Sequence, residues 1–395
     1  MSAPDLHILF FAIFACLLLL PARCDVDRPQ HGVALFIFGD SLNDAGTNNY
    51  INTTASFRAN FPPYGETYFP YPTGRLTNGR LMADFIGTTS PCPSLFFPPQ
   101  MIDCLLKFFS GDIAEHAKLP LIPPYLQLKN GEFVGGANFA SDGAGVLPTT
   151  HQGYVVDLRT QLKQFEKMVK DVRKKLGDEK AKRTVSEGVY MVSIGGNDYI
   201  NPVLDNPTLF QSISMEDYVG MVVGNISTFL EDMYKVGARK FGFLAVPPIG
   251  CMPALRVTTG NGSCSRPATK LAKLHNMALP ATLAKLESQL QGFKYSLFDL
   301  YTSWIERIQY PSKYGFKDGK SACCGSGPYG GNNSCGGMRG VREYSLCSNP
   351  GEYVFFDSFH ASERAYWQFA QLMWNGSLHT TKPYNLEELF KHVNI

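Results

Sequence analysis

Beyond its first two dozen residues, the chain of 395 has no apolar run long enough to span a bilayer. It also lacks an excess of either charge: 36 basic and 34 acidic residues leave a net charge of +2. The charges are interspersed and no long basic run occurs, which argues against a nucleic-acid groove. No Cys-x-x-Cys knuckle is present, and no histidine lies near the cysteines of residues 323–347, which disfavours a zinc site. There are no internal repeats. Ser41, which proves to matter, is not set in a Gly-x-Ser-x-Gly elbow, so the strand-to-helix elbow of the α/β-hydrolases is not indicated.

What is present starts with a leader. Ile8 to Leu20 is almost wholly apolar and Pro21-Ala22-Arg23-Cys24 follows it, so residues 1–24 read as a secretory signal peptide. No Lys or Arg precedes the run, and no stop-transfer pattern follows at Asp25-Val26-Asp27-Arg28. Removal leaves 371 residues with no transmembrane span. Ten cysteines suit an oxidising compartment and a secreted, extracellular protein. Cys251 and Cys264 bracket a short loop and are expected to pair. Cys323, Cys324, Cys335 and Cys347 lie in a Gly-rich segment that needs staples; three pairings are open, and adjacency makes Cys323–Cys324 the least favoured. Asn52, Asn225, Asn261, Asn332 and Asn375 begin Asn-x-Ser/Thr sequons and are glycosylation candidates, whereas Pro207 blocks Asn206.

Val33 to Phe38 is a continuous apolar run, as expected of a strand covered on both faces. Similar runs occur near Phe139, at Val189–Ile194, at Phe241–Val246 and at Tyr295–Leu300. Helical periods lie between them. Leu162, Phe165, Met168, Val169, Val172 and Leu176 fall on one face of a stretch from Leu158 to Leu176, with lysines opposite. Met215–Val236 and Ala268–Leu290 read the same way. This alternation predicts a parallel sheet between helix layers, with functional residues at the carboxyl ends of the strands.

Three of the apolar runs end in polar, Gly-containing turns. Gly39-Asp40-Ser41-Leu42 follows the first, Ser141-Asp142-Gly143-Ala144 the second and Ser193-Ile194-Gly195-Gly196-Asn197 the third. Near the far end stands Asp357-Ser358-Phe359-His360, where the Asp-x-x-His spacing puts both side chains on about one turn. A serine becomes a nucleophile when a histidine takes its proton and a carboxylate holds the imidazole. Main-chain N–H groups of a Gly turn and an asparagine amide are suitable oxyanion donors. Since Ser41 and His360 lie at opposite ends, both ends must meet in one domain. Asp40, Asp44 and Asp198 read as turn- or loop-pinning residues. His31, His116, His151, His275, His379 and His392 belong to no constellation and read as surface or packing residues.

These blocks resemble the plant branch of the GDSL esterase/lipase family, in the SGNH hydrolase superfamily. So do Pro62-Pro63-Tyr64-Gly65, Asn78-Gly79-Arg80-Leu81, Val246-Pro247-Pro248-Ile249-Gly250-Cys251 and Cys323-Cys324-Gly325. The resemblance covers nearly all of residues 25–395. It implies a single three-layer α/β/α flavodoxin-like domain with a central parallel sheet. It implies a secreted serine carboxylic-ester hydrolase acting on lipid or other acyl esters through an acyl-enzyme, without cofactor or metal. Ser41 would be nucleophile, His360 base and Asp357 its orienter. The N–H groups of Ser41 and Gly143 and the Asn197 amide would form the oxyanion hole. The same triad would serve an acyltransferase; a secreted lipid- or cell-wall-binding protein with an impaired site is the alternative of another class. The partner is a small-molecule or lipid ester, not nucleic acid, and the oligomeric state is not read. Where the family carries Gly-Gly or Ala-Gly, this chain has Asp142-Gly143. A carboxylate there would repel an oxyanion, so the expectation is that Gly143 donates its N–H and Asp142 faces solvent.

Residues 87–113 fit none of this. Their prolines, aperiodic apolar runs and two cysteines separate Ala83-Asp84-Phe85-Ile86 from Ala114-Glu115-His116-Ala117. Joined, those pieces make one helix, with Asn78 as N-cap and an end before Pro120. The 27 residues are either a gene-model artefact, such as a retained intron in frame, or a genuine insertion stapled by Cys92–Cys104.

Overall fold

The computed structural model describes residues 33–87, 117, 119–128, 133 and 135–391. The leader, most of the 87–113 segment with Cys92 and Cys104, and His31, His116 and His392 lie outside the described residues.

The apolar runs form β1 (Leu35–Gly39), β2 (Gly136–Asn138), β3 (Val189–Ser193), β4 (Lys240–Leu244) and β5 (Lys294–Phe298). With β6 (Thr381–Pro383) they make one sheet in the order β6-β5-β4-β3-β1-β2. β1 to β5 pair in parallel and β6 runs antiparallel to β5. The sixth strand was not expected, because it is short, polar and contains Pro383, which an edge strand tolerates.

Register decides what each face meets. Phe36 aligns with Tyr190, and Tyr190 with Phe241, so these rings share one face. Phe36 and Tyr190 meet α2 (Leu158–Leu176), and Phe38 meets Phe229 of α4 (Met215–Val236), with α1 (Met82–Gly87) and α3 (Gly196–Asp205) elsewhere in chain order. Phe165 of α2 packs edge-on against Phe36, Phe38, Phe139 and Tyr190, at ring-centroid distances of 5.4, 5.8, 5.9 and 5.5 Å. Truncating such a fully buried ring costs about 3–5 kcal/mol. The next position on β4 points the other way. A Cβ on Gly242 would meet Leu386 of α8 (Leu386–Lys391) and Met373 of α7 (Glu363–Asn375). Between these pairs in the chain come α5 (Arg266–Gln289), packed on α4, and α6 (Leu300–Gln309). This is a three-layer α/β/α fold. The periodic helices begin on capping side chains: Asp157 accepts from the Thr160 N–H at 2.7 Å, and Ser214 from the Asp217 N–H at 3.0 Å. Leu176, placed by periodicity on the buried face, is 49% exposed, because it ends α2 beyond the sheet.

The start of α1 corrects another expectation. Asn78 is not its N-cap; it lies before the helix, and its Oδ1 accepts the Glu363 N–H at the start of α7. Asp84 instead accepts the Leu81 N–H at 2.8 Å and forms a two-point buried pair with Arg75. At the other end, the Ala117 N–H donates to the Ile86 carbonyl at 3.1 Å. With residues 87–113 removed, Ala117 would be fourth after Ile86. That bond is therefore the ordinary i→i−4 helix bond of the joined chain.

The Gly-rich segment is stapled by Cys323–Cys347 and Cys324–Cys335, and Cys251 pairs with Cys264. The first two bridges lie in a small core with Tyr64, Leu76 and Phe356. The Cys323 and Cys324 N–H groups bond the Phe355 and Phe356 carbonyls at 3.0 and 2.7 Å, which fixes the chain leading into Asp357.

Candidate active site

Strand ends build the site. Gly39 closes β1 at φ 135°, and a Cβ there would come within 1.9 Å of the Ser193 carbonyl oxygen. Only glycine lets the ends of β1 and β3 approach this closely. The Asp40 N–H then bonds that same Ser193 carbonyl at 3.0 Å. The buried Gln161 of α2 accepts from the Gly39 N–H and donates to its carbonyl, at 2.9 and 2.8 Å. After this clamp, the Asn43 and Asp44 N–H groups both bond the Asp40 carbonyl, which winds residues 40–44 into a tight turn with Ser41 near its start.

Ser41, Gly143, Asn197 and His360 all line one cavity of about 510 Å³. Asp357 lies behind His360. Among the described residues, neither the Ser41 N–H nor the Gly143 N–H has a hydrogen-bond acceptor. The Asn197 Nδ2 donates to the Ala144 carbonyl at 2.9 Å, which leaves one amide hydrogen. Asp198 pins this corner by accepting from the Val146 and Leu147 N–H groups and the Thr150 hydroxyl. Asp44 similarly accepts from the Gly46, Thr47 and Asp142 N–H groups.

Asp357 Oδ1 lies 2.7 Å from His360 Nδ1 and also accepts the Phe359 and His360 N–H groups, at 2.9 and 2.8 Å. Its Oδ2 accepts from the Tyr64 hydroxyl at 2.7 Å. Burial would raise the Asp357 pKa, but the His360 imidazolium, the Arg339 guanidinium and these donors hold it well below the usual carboxylate range. An ionised carboxylate only accepts, so Nδ1 carries the proton and Nε2 is left as the base. Burial pushes the His360 imidazolium down, and the Asp357 charge and hydrogen bond outweigh it, so its pKa stands above the ordinary value. Among the described residues no hydrogen bond joins Ser41 to the ring; both open on the cavity.

Asp142 does not face solvent. It is 7% exposed and lines the cavity beside Gly143. Its N–H is held by Asp44 at 2.8 Å and its carbonyl by the Asn48 amide at 3.0 Å, so the main chain fixes where the side chain points. Burial pushes its carboxyl up to about 7, against the pull of His360 and Arg339. Asp40, also lining the cavity, is pushed up to about 7 by burial despite the Leu42 N–H.

Four contributors were not expected at the site, although Tyr64 stands in one of the blocks that carry the resemblance. Tyr64 and Arg339 reach Asp357 from distant loops, and Gln161 clamps Gly39. The fourth is His151, whose Nδ1 lies 2.7 Å from the Gly143 carbonyl while its backbone adopts φ 49°, a left-handed conformation unusual outside glycine. His275 is buried against the Tyr199 hydroxyl at 2.7 Å, and His379 is exposed.

A family model described as GDSL-like lipase/acylhydrolase matches residues 35–373. The chain is 45% identical over 394 residues to GDSL esterase/lipase 5 of Arabidopsis thaliana, covering 97% of this chain and 95% of that protein. It is 48% identical over 363 residues to GDSL esterase/lipase 1 of the same plant, covering 91% and 90%. A GDSL lipase of Tanacetum cinerariifolium is 45% identical over 372 residues, covering 94% and 91%.

Proposed function

We infer the mechanism from a plain premise: the chain belongs to the GDSL-like lipase/acylhydrolase family and hydrolyses ester bonds. Ser41 attacks the ester carbonyl while His360 Nε2 takes its proton. Asp357 holds the ring and its charge steadies the imidazolium. The oxyanion is received by the Ser41 and Gly143 N–H groups and the remaining Asn197 hydrogen. His360 returns the proton to the departing alcohol, which leaves an acyl-enzyme, and then activates water to cleave it. The substrates are lipid or other acyl esters, whose chain lies against Ile200, Leu204, Ile249, Met252 and Phe359.

The observation that carries this reading is the buried Asp357–His360 pair opening on the same cavity as Ser41, beside two unused N–H groups. Residues 1–24 act as a signal peptide, and residues 25–395 are the secreted domain. Three disulfides and five exposed sequon asparagines support secretion and glycosylation. Purified protein should release acid from aryl esters, and Ser41→Ala should lower the rate by at least ~10³-fold. Equal rates in the two proteins would refute the assignment. Product analysis with added alcohol distinguishes transfer to that alcohol from hydrolysis.

A further inference from the structure

The cavity has a second polar wall with hydrogen-bonding atoms that ester cleavage leaves over. Among the described residues, Asp142 Oδ2 is buried without a hydrogen-bond partner. Arg339 lines the same cavity, and its side chain is 1% exposed. Its Nη1 donates to the Tyr64 hydroxyl and, at 3.1 Å, to Asn333 Oδ1; its Nη2 donates to the Arg58 carbonyl at 2.6 Å. Arg339 Nε is buried and has no partner. A buried polar atom left unpaired costs about 1–3 kcal/mol. Asp142 and Arg339 both line the cavity, and each carries one buried atom without a partner among the described residues.

One bound group can serve both if it donates and accepts. A hydroxyl donates to the carboxyl and accepts from the guanidinium N–H. An anion is disfavoured, since it would meet the ionised Asp357 behind His360 and would keep Asp142 from giving up its proton. A cation is disfavoured by Arg339. The position is next to Gly143, so the hydroxyl must sit a few bonds from the scissile carbonyl.

We propose that Asp142 and Arg339 form a hydroxyl-binding subsite beside Ser41, which selects esters bearing a free hydroxyl near the ester bond, such as partial esters of a polyol. The proposal rests on Ser41 being the nucleophile and adds a substrate class to that reading.

Glyceryl monobutyrate and propyl butyrate share an acyl group and differ by the hydroxyls. Acid release should give a kcat/KM ratio of about 10- to 100-fold in favour of the glyceryl ester, the yield of satisfying one or two buried groups. In Asp142→Ala the ratio should fall to within about threefold of one. In Asp142→Asn, which keeps shape and hydrogen-bonding atoms, most of the preference should return. A wild-type ratio near one, or the same ratio in wild type and Asp142→Ala, overturns the subsite. Should Asp142→Ala not fold, the wild-type enzyme still decides: glycerol should inhibit propyl butyrate hydrolysis competitively and more strongly than 1-propanol, and equal inhibition overturns the proposal. Hydrolysis that persists in Ser41→Ala refutes the nucleophile instead, whatever the ratio.

Discussion

Replacing Asp142 by Asn should make the protein less sensitive to alkali. The carboxyl titrates near 3.8 when unfolded and near 7 in the fold, with burial as the main cause. Between those values the folded state holds a proton that the unfolded state has lost. Stability therefore falls as pH rises, by about 1.4 kcal/mol per unit for this one group. The contribution is fully present below about pH 4 and is lost once pH has passed 7, a total of about 4 kcal/mol at most. Asn cannot ionise, and the main-chain bonds to Asp44 and Asn48 do not involve the side chain. The stability of Asp142→Asn minus wild type should thus grow by about 2.7 kcal/mol from pH 5 to about 8 and then level off. For a chain of this length, that corresponds to a melting-temperature gain on the order of 3–5 °C. Asp40 and Asp44 carry upward shifts of the same sign, so the wild-type curve keeps a slope even after the substitution. Melting both proteins across pH 5–8 at fixed ionic strength decides the matter. Parallel curves would mean that Asp142 is hydrated and ionised throughout, and the burial argument would fail.

His151→Ala should lower kcat about tenfold with little change in KM, because the imidazole holds the Gly143 carbonyl and so fixes the residue whose own N–H faces the oxyanion; His151→Asn, which tolerates the left-handed backbone and can rebuild the bond, should recover much of the rate. Unchanged kcat in His151→Ala would remove the ring from the site. A chain lacking residues 87–113 should fold, keep Ser41-dependent hydrolysis and melt higher, since closing that length between fixed ends costs about 3 kcal/mol. A deleted chain that is unfolded by circular dichroism would show that the Ala117–Ile86 bond does not report a continuous helix.

The sequence made the frame legible wherever one periodicity ruled. The helices Leu158–Leu176 and Met215–Val236 occur with the bounds that their apolar spacing marks, and the five parallel strands lie within a few residues of the apolar runs. What escaped was set by tertiary contact. Tyr64 meets Asp357 across 293 positions, and no local pattern announces such a bond. His151 carries neither spacing nor charge partner in the chain; only folding brings it to Gly143. Asp142 was expected in solvent because a carboxylate ordinarily goes there. Two main-chain hydrogen bonds overruled that preference by fixing the direction of its Cβ. The disulfide cluster shows the boundary between the two cases: adjacency of Cys323 and Cys324 disfavoured one pairing, and only the fold chose among the three.

Two buried carboxyls sense the same imidazole, and their surroundings drive them apart. Asp357 accepts three N–H groups counting the ring, plus a tyrosine hydroxyl, so it stays ionised and can hold a protonated base. Asp142 Oδ2 accepts nothing among the described residues, and the carboxyl keeps its proton up to about pH 7. In the proposed mechanism, the anion thus stands behind the histidine, where positive charge develops. The neutral acid stands beside the oxyanion turn, where a negative charge would hinder. Separation of two acids by environment is how a site assigns them different roles. It also resolves the objection that a carboxyl next to Gly143 must spoil catalysis: below neutrality that carboxyl is a hydrogen-bond donor. His360 must lose its proton to act while Asp142 keeps its own. Because the His360 pKa is raised and Asp142 loses its proton at about 7, the two requirements overlap only narrowly. The wild-type rate should therefore fall on the alkaline side of its optimum, and Asp142→Asn should abolish that fall while leaving the acid limb in place. A pH–rate profile in which both proteins decline alike above neutrality would refute this division of roles.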